Sequence, residues 1–313
     1  MLCRELPLEF ELELEWESHK KLITWNVQWF CGLDDVVSVE RVVGEARDMA
    51  DFDVLCLQEV AVNYPQLTGN AGFDQVARLR QLLPGFEVCF GAAVDELGRH
   101  GERQQFGNLV ATRLPVAQVQ HYPLPYPADI GVRSMPRMCT SVTVMTRLGP
   151  VRVMTTHLEF YSTRQRLAQA QALLDIHAQA CAQAAQPPLA DETGGPFQSK
   201  THTSSAVLCG DFNFEVANEE YALLTRKEGS GTGKSSYLPA RAPTSLLCDA
   251  WPLAHGSAAH DPTFRLFDRR YGPEPICCDF VFVSEDLRHR IVKMEVNLHT
   301  RASDHQPVLL ELA

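Results

Sequence analysis

A chain of 313 residues, 45% of them hydrophobic, can bury a sizeable core, and nothing within it reads as a long interdomain linker. Its 28 Lys and Arg stand against 39 Asp and Glu, a formal charge of −11 that disfavours a non-specific binder of long polyanions unless the basic residues gather in one groove. The ten cysteines include no C-x-x-C pair, and the N-terminus has no basic start followed by an apolar stretch. Zinc, thioredoxin-like, secreted and membrane-inserted readings are thereby set aside, and a cytoplasmic protein with free thiols is expected.

In chain order, residues 7–17 read PLEFELELEWE, where Leu8, Phe10, Leu12, Leu14 and Trp16 alternate with five glutamates. Period two predicts a half-buried strand with an acidic face, within an acidic extension over residues 1–20. A solvated edge strand is favoured there over partner binding or strand exchange. A strand over 21–27 follows and ends at Asn26, and then Val39, Val42, Val43, Ala46 and Ala50 mark one face of a helix. The run DVLCLQEV delivers Glu59 at the end of an apolar strand, and a helix over 73–83 stops at Pro84 and Gly85. Strands are expected over 86–90, 106–111, 138–145 and 151–157, the last exposing His157.

Residues 163–185, rich in Ala, Gln and Leu, predict a long helix capped by Ser162 or Thr163. Flexible loops are expected over 187–205 and 226–243. The second contains GSGTGKSS, superficially a phosphate-binding loop, but the template needs glycine where Glu228 stands and a strand before it, where the chain offers a helix. Asp279 then opens a strand, and Asp304 with His305 precede the last one. Alternating strands and helices predict a layered α/β fold, with 21–313 forming a single domain.

The chemistry centres on 207–214, VLCGDFNF, where Asp211 and Asn213 share one face if the strand stays extended. Taken alone the stretch also reads as a β-turn. Asn26, Glu59, His157, Asp279, Asp304 and His305 likewise sit at strand ends. A hard cation such as Mg²⁺ takes oxygen ligands, for which Glu59 is the best candidate, with Asn26 and Asp304 beside it. A surface glutamate and an Asx turn are the plain alternatives for Glu59 and Asn26. An aspartate beside a histidine favours the imidazolium, so Asp279 and His305 can direct positive charge at a phosphoryl group if their strands adjoin; a satisfied core histidine is the alternative. His157 can supply a second donor.

These motifs, TWN at 24–26, LQEV at 57–60, GNLVATRLPV from Gly107, TTHLE from Thr155, GDFN at 210–213, PTF at 262–264, DFVFVS from Asp279 and SDHQPV from Ser303, resemble the endonuclease/exonuclease/phosphatase superfamily. They keep that family's order over nearly all of 21–312. The resemblance implies a four-layered α/β sandwich of two mixed sheets, face to face with helices outside. It implies a Mg²⁺- or Mn²⁺-dependent phosphoesterase, similar to abasic-site endonucleases, deoxyribonuclease I and neutral sphingomyelinases. By motif, Glu59 would be the principal metal ligand, with Asn26 and Asp304 assisting. Asp211 would orient or deprotonate the attacking water, with Asn213 holding it; His305 backed by Asp279 would contact the scissile phosphate, and His157 would stabilise its developing charge. Phe280 stands where the family often has tyrosine or isoleucine.

Arg133 and Arg137 are candidates for a phosphate away from the scissile one, with solvated surface arginines as the alternative. The expected substrate is a small or lipid-derived phosphate ester. A nuclease on DNA or RNA is the second reading, and an inactive phosphate-binding module the third.

Overall fold

The apolar runs assemble into two mixed six-stranded sheets. The computed structural model describes residues 19–147, 149–225 and 246–313, so most of the acidic extension (1–18) and the GSGTGKSS loop over 226–243 lie outside the described residues. The first sheet runs in the order β11 (Ile291–Val296), β12 (Val308–Leu312), β1 (Lys20–Asn26), β2 (Val54–Val62), β4 (Arg103–Thr112), β3 (Glu87–Leu97). The second runs β5 (Val116–Pro123), β6 (Met138–Thr146), β7 (Gly149–His157), β8 (Ala206–Asp211), β10 (Asp279–Ser284), β9 (Leu247–Asp249). Only β1 with β2 and β7 with β8 pair in parallel.

Strands such as β2 and β8 are apolar but for Gln58, Glu59 and Asp211, because both faces are covered. Between the sheets, Leu22, Val54 and Val110 of the first pack with Val142, Val153, Val207 and Val281 of the second. Outside the first sheet, Trp25, Leu55 and Leu57 meet helices α1 (Val39–Met49) and α2 (Gln75–Leu82) through Val42, Val43, Ala46, Val76 and Leu79. Outside the second, Leu208, Phe280 and Phe282 meet α3 (Thr163–Ala185) and the short α4 (Glu219–Leu224) through Ala170, Leu173 and Leu224. The result is the expected four-layered α/β sandwich.

Helix starts follow their caps: Ser38, Asp74 and Ser162 each accept the backbone N–H three residues on. Of the two caps expected for α3, Ser162 serves. Residues 187–205 carry no helix or strand, as expected of a loop.

Elsewhere the sheets exceed the pattern. β3 and β4 run well past 86–90 and 106–111, because their polar ends pair across the ladder, Arg103 Nε donating to Asp95 Oδ1 (2.9 Å) and Gln105 Nε2 to Asp95 Oδ2 (3.2 Å). Edge strands β5, β9 and β11 and the helix α5 (Ala250–His255) had no signal, whereas α4 is the helix read before the 226–243 loop. β5 and β11 are half-exposed, and β9 and α5 are too short to show a period.

Candidate active site

Parallel pairing places the ends of adjacent strands side by side. Asn26 lies opposite Gln58, His157 opposite Asp211, and antiparallel β10 sets Asp279 opposite Asp211. The two sheets therefore present their polar strand ends to one cleft of about 160 Å³, lined among others by Glu59, Arg137, His157, Asp211, Asn213, Asp304 and His305. All eight strand-end candidates are brought together here, Asn26 and Asp279 bonding the residues that line it.

Backbone distortion aims them. Glu59, expected at the end of its strand, instead sits within β2, which runs on to Val62; it has φ +62° where β2 loses register with β4 between Leu57 and Val60, a bulge that re-aims one side chain. Asn213 has φ +53°, and Gly210 φ +138°, where an added Cβ would stand 2.0 Å from Thr156 O. Only glycine can bring β8 this close to β7. Gln28, Trp29 and Phe30 are left-handed in succession at the cleft's rim. Such strain persists where packing over-determines it, here through Trp29 Nε1 donating to Thr68 O (2.8 Å) and Gln75 Nε2 donating to Trp29 O (2.9 Å).

Asn26 Nδ2 donates to Glu59 Oε1 (3.1 Å) and Asp211 Oδ2 (2.9 Å), while its Oδ1 accepts the Gln28 N–H (3.1 Å). Because a backbone N–H can only donate, the amide oxygen must face Gln28 and the NH₂ must face the carboxylates. The Asx turn and the site contact thus coexist. Asp211 Oδ1 accepts the Asn213 N–H (2.9 Å), and Asn213 Nδ2 bonds His157 Nε2 (3.0 Å) and Leu158 O (2.9 Å). Burial raises Asp211 to a pKa of about 6, against the opposing pull of His305.

His305 Nδ1 lies 2.9 Å from Asp279 Oδ2, and its Nε2 3.6 Å from Asp211 Oδ2. The ring stacks on Phe264 at 4.3 Å between centroids. Burial alone would lower its pKa, but the carboxylates of Asp279 and Asp211 reverse this and hold it at about 10. His305 is thus an imidazolium at neutral pH. His157 is the opposite case: burial, with Arg137 and His305 nearby, holds it well below the usual imidazole range, so it is neutral.

Glu59 is raised to about 7 by burial and by the Asp304 carboxylate, and Asp304 is raised mainly by burial. Half-buried Glu59 and buried Asp304 repel each other and form an all-oxygen donor set suited to a hard cation. A second cluster, Asp211, Cys278 and His305, has ligand atoms within 4.8 Å of one another. It suits a metal poorly, because burial pushes the Cys278 thiol up and His305 is protonated.

Arg137 and Arg133 part company. Arg137 is buried, its Nε donates to Glu159 Oε2 (3.2 Å), it lines the cleft, and its Nη1 is buried without a hydrogen bond among the described residues. Arg133 is exposed and lies over the Tyr161 ring at 4.5 Å. The sequence reading missed an aromatic wall of Trp29, Phe160, Tyr161 and Tyr271 on this cleft. Aromatic residues outside strands carry no periodic signal, so only proximity reveals them. Glu159, which positions Arg137, stood inside the TTHLE motif without an assigned role.

Among the described residues no serine, cysteine or lysine lines the cleft, and the carboxylates of Glu59, Asp211 and Asp304 stand there with His157, His305 and Arg137, groups that can activate water and meet an anionic phosphoryl group. That chemistry, on a two-sheet sandwich, is the work of a phosphoesterase. The sequence profile described as "Endonuclease/Exonuclease/phosphatase family" matches residues 23–305, and the chain belongs to that family. Among solved structures it is similar to an endonuclease/exonuclease/phosphatase from Beutenbergia cavernae, at 24% identity and TM-score 0.64 over 95% of this chain and 72% of that one. It is similar to a mannosyl-6-phosphatase of Bacteroides thetaiotaomicron, at 17% identity and TM-score 0.61 over 94% and 99% of the two chains. It also resembles D. rerio TDP2 complexed with single strand DNA product, at 16% identity and TM-score 0.60 over 95% and 100%. A comparison with curated protein sequences gives no match. Among the described residues no helix is long and apolar enough to cross a membrane.

Proposed function

We propose that the chain hydrolyses a small or lipid-derived phosphate ester, in the cytoplasm, by in-line attack of water with a divalent cation, Mg²⁺ or Mn²⁺, held by Glu59 and Asp304. The cation would supply charge neutralisation to the phosphoryl oxygens. Asn26, expected among the ligands, turns its NH₂ to Glu59 and Asp211, and we assign it to fixing those two carboxylates.

Asp211 takes the proton of the attacking water. A base whose pKa is about 6 is ionised at pH 7 yet still strong enough to accept a proton, and Asn213 fixes its rotamer through the backbone N–H. His305, locked by Asp279 and Phe264, donates from Nε2 to a non-bridging oxygen. Neutral His157 offers a weaker donor beside it. Arg137 Nη1 holds a second anionic group of the substrate, and Arg133 can reach only its outer part.

The observation that carries this reading is the opposed charging of one cleft: a base at about 6 lies between an imidazolium and two cation-seeking acids. The aromatic wall favours a second reading, a nuclease, because bases stack on such rings and a neighbour of the same fold is described with a single-strand DNA product. Against it stands the charge of −11.

The test is hydrolysis by the full chain with and without Mg²⁺ or Mn²⁺ on a panel of inositol and lipid phosphates, bis-p-nitrophenyl phosphate, duplex and abasic DNA and single-stranded RNA. His305→Ala is the control. Metal-dependent turnover of small esters alone supports the first reading, and turnover of nucleic acid with a steep salt dependence supports the second. Silence on every substrate, with phosphate still bound, would replace both by an inactive binding module.

A further inference from the structure

The strands that end at the cleft begin at a second opening. Leu22, Val54, Val153, Val207, Leu310 and Leu312 line a groove of about 430 Å³ between the two sheets, at the end of β1, β7 and β8 away from Asn26, His157 and Asp211. It is larger than the cleft and almost wholly apolar, yet its mouth carries His19, Lys20, Lys21 and Arg147. An open apolar gap between sheets is costly in water, and contiguous apolar surface rimmed by polar groups marks a binding surface.

We propose that this groove is the docking site for residues 7–17 of the same chain. Alternate residues Leu8, Phe10, Leu12, Leu14 and Trp16 enter it, and the intervening glutamates face its cationic mouth. Three observations select this occupant.

The first is position: the described chain begins at His19, which is itself part of the mouth, so Glu17 is two residues away from the groove. The second is length. Residues 7–17 span about 36 Å when extended at about 3.3 Å per residue, more than enough to cross the groove after one reversal at 18–19. The third is complementarity in both faces of the segment. The period-two pattern gives one wholly apolar face and one wholly acidic face. The groove offers an apolar floor, and at its mouth Glu311 and Asp53 already take His19 (2.7 Å) and Lys20 (3.7 Å) while Lys21 shares the opposite face of β1 with Ile23 and Trp25, so exposed Arg147 meets the incoming glutamates. A fatty acyl chain would use the floor and ignore the charge pattern.

The test uses the full chain, in wild-type form, as the double variant Leu12→Glu/Leu14→Glu, and as Arg147→Glu. Hydrogen exchange is read on peptides covering 7–17 and the β6–β7 hairpin. Wild type should protect both regions about tenfold or more over the double variant, with Arg147→Glu intermediate. The double variant, and not wild type, should bind the apolar dye 8-anilinonaphthalene-1-sulfonate. Arg147 lines the groove and not the cleft, and neither variant changes a residue assigned to the cleft, so ester hydrolysis should match wild type in both, which separates this proposal from the assignment of the cleft. Equal exchange of 7–17 in wild type and double variant would overturn the proposal, as would equal dye binding. Protection that grows with protein concentration alongside a dimer in sedimentation would overturn it in favour of a second copy.

Discussion

Arg137→Lys keeps the positive charge and removes the planar fork whose Nη1 is buried without a partner in the cleft. A hydrogen bond to a charged group is worth about 1.5–3 kcal/mol, so its loss should lower kcat/KM about 10- to 150-fold. If Arg137 holds an anionic group away from the reacting phosphate, nearly all of this should fall on KM, with kcat little changed. The cost to stability should be smaller than the about 3–5 kcal/mol of a broken buried ion pair. Glu159 Oε2 loses the 3.2 Å bond from Arg137 Nε but still accepts the Met135 N–H (3.3 Å), and Oε1 the Tyr161 N–H (3.1 Å). About 1–3 kcal/mol of destabilisation is expected, read as a shift in the urea midpoint. Steady-state kinetics on the ester identified by the panel decide the matter. A kcat/KM within twofold of wild type, beside the expected loss of stability, would reduce Arg137 to a structural partner of Glu159.

Arg133→Ala, by contrast, should change kcat/KM by less than about fivefold, because the side chain is exposed and its stacking on Tyr161 is worth about 1 kcal/mol or less. Glu59→Gln should abolish metal-dependent turnover; Mg²⁺ should stabilise the wild type by about 2.7 kcal/mol at a hundredfold excess over Kd, read as a raised melting temperature, and leave the variant's melting temperature unchanged. Gly210→Ala should cost more than about 1 kcal/mol and suppress kcat, since φ +138° and the 2.0 Å approach to Thr156 O leave no place for a methyl group beside Asp211; a variant with wild-type kcat would show that β8 can relax. His177, which accepts from Arg152 Nη2 at 2.7 Å, is held by burial near 4 against an ordinary 6.5. The unfolded chain therefore binds a proton that the native state refuses between those values. The contribution of His177 to stability should fall by about 3 kcal/mol as pH drops from about 6.5 to about 4 and be constant above 7, superposed on the opposite slopes of Asp211, Glu59 and His305. His177→Gln should remove most of that slope in urea titrations at successive pH values.

What the sequence revealed follows from how each feature is encoded. Strands covered on both faces, such as VLCLQEV, declare themselves by continuous apolar runs, and the acids and amides at their ends stand out against that background. Hence all eight strand-end candidates were legible, and so was the sandwich that assembles them. β5 was not, because its alternate residues are half-buried at a sheet edge, and the turn-forming Pro115 and Pro123 bracket it. Nor was the difference between Arg133 and Arg137: four residues apart in one loop, they read alike until Glu159 is seen beside one and Tyr161 beside the other. Phe160 and Tyr271 are separated by more than a hundred residues, and their ring contact at 5.9 Å belongs to the tertiary structure alone.

The charge arithmetic of the cleft explains how a protein of net charge −11 can take an anionic substrate. Glu59, Asp211, Asp279 and Asp304 face one imidazolium, His305, since Arg137 is matched by Glu159 and His157 is neutral. Without a cation the excess is relieved by protons, held chiefly at Glu59, whose pKa of about 7 stands above the value of about 6 for Asp211. A phosphate ester entering this field meets repulsion that a divalent ion held as proposed by Glu59 and Asp304 would remove. Cation and substrate must then favour each other's binding by the same factor, as linkage requires. An affinity for inorganic phosphate that is identical in the presence and absence of Mg²⁺ would contradict this account of the site, whichever ester proves to be its substrate.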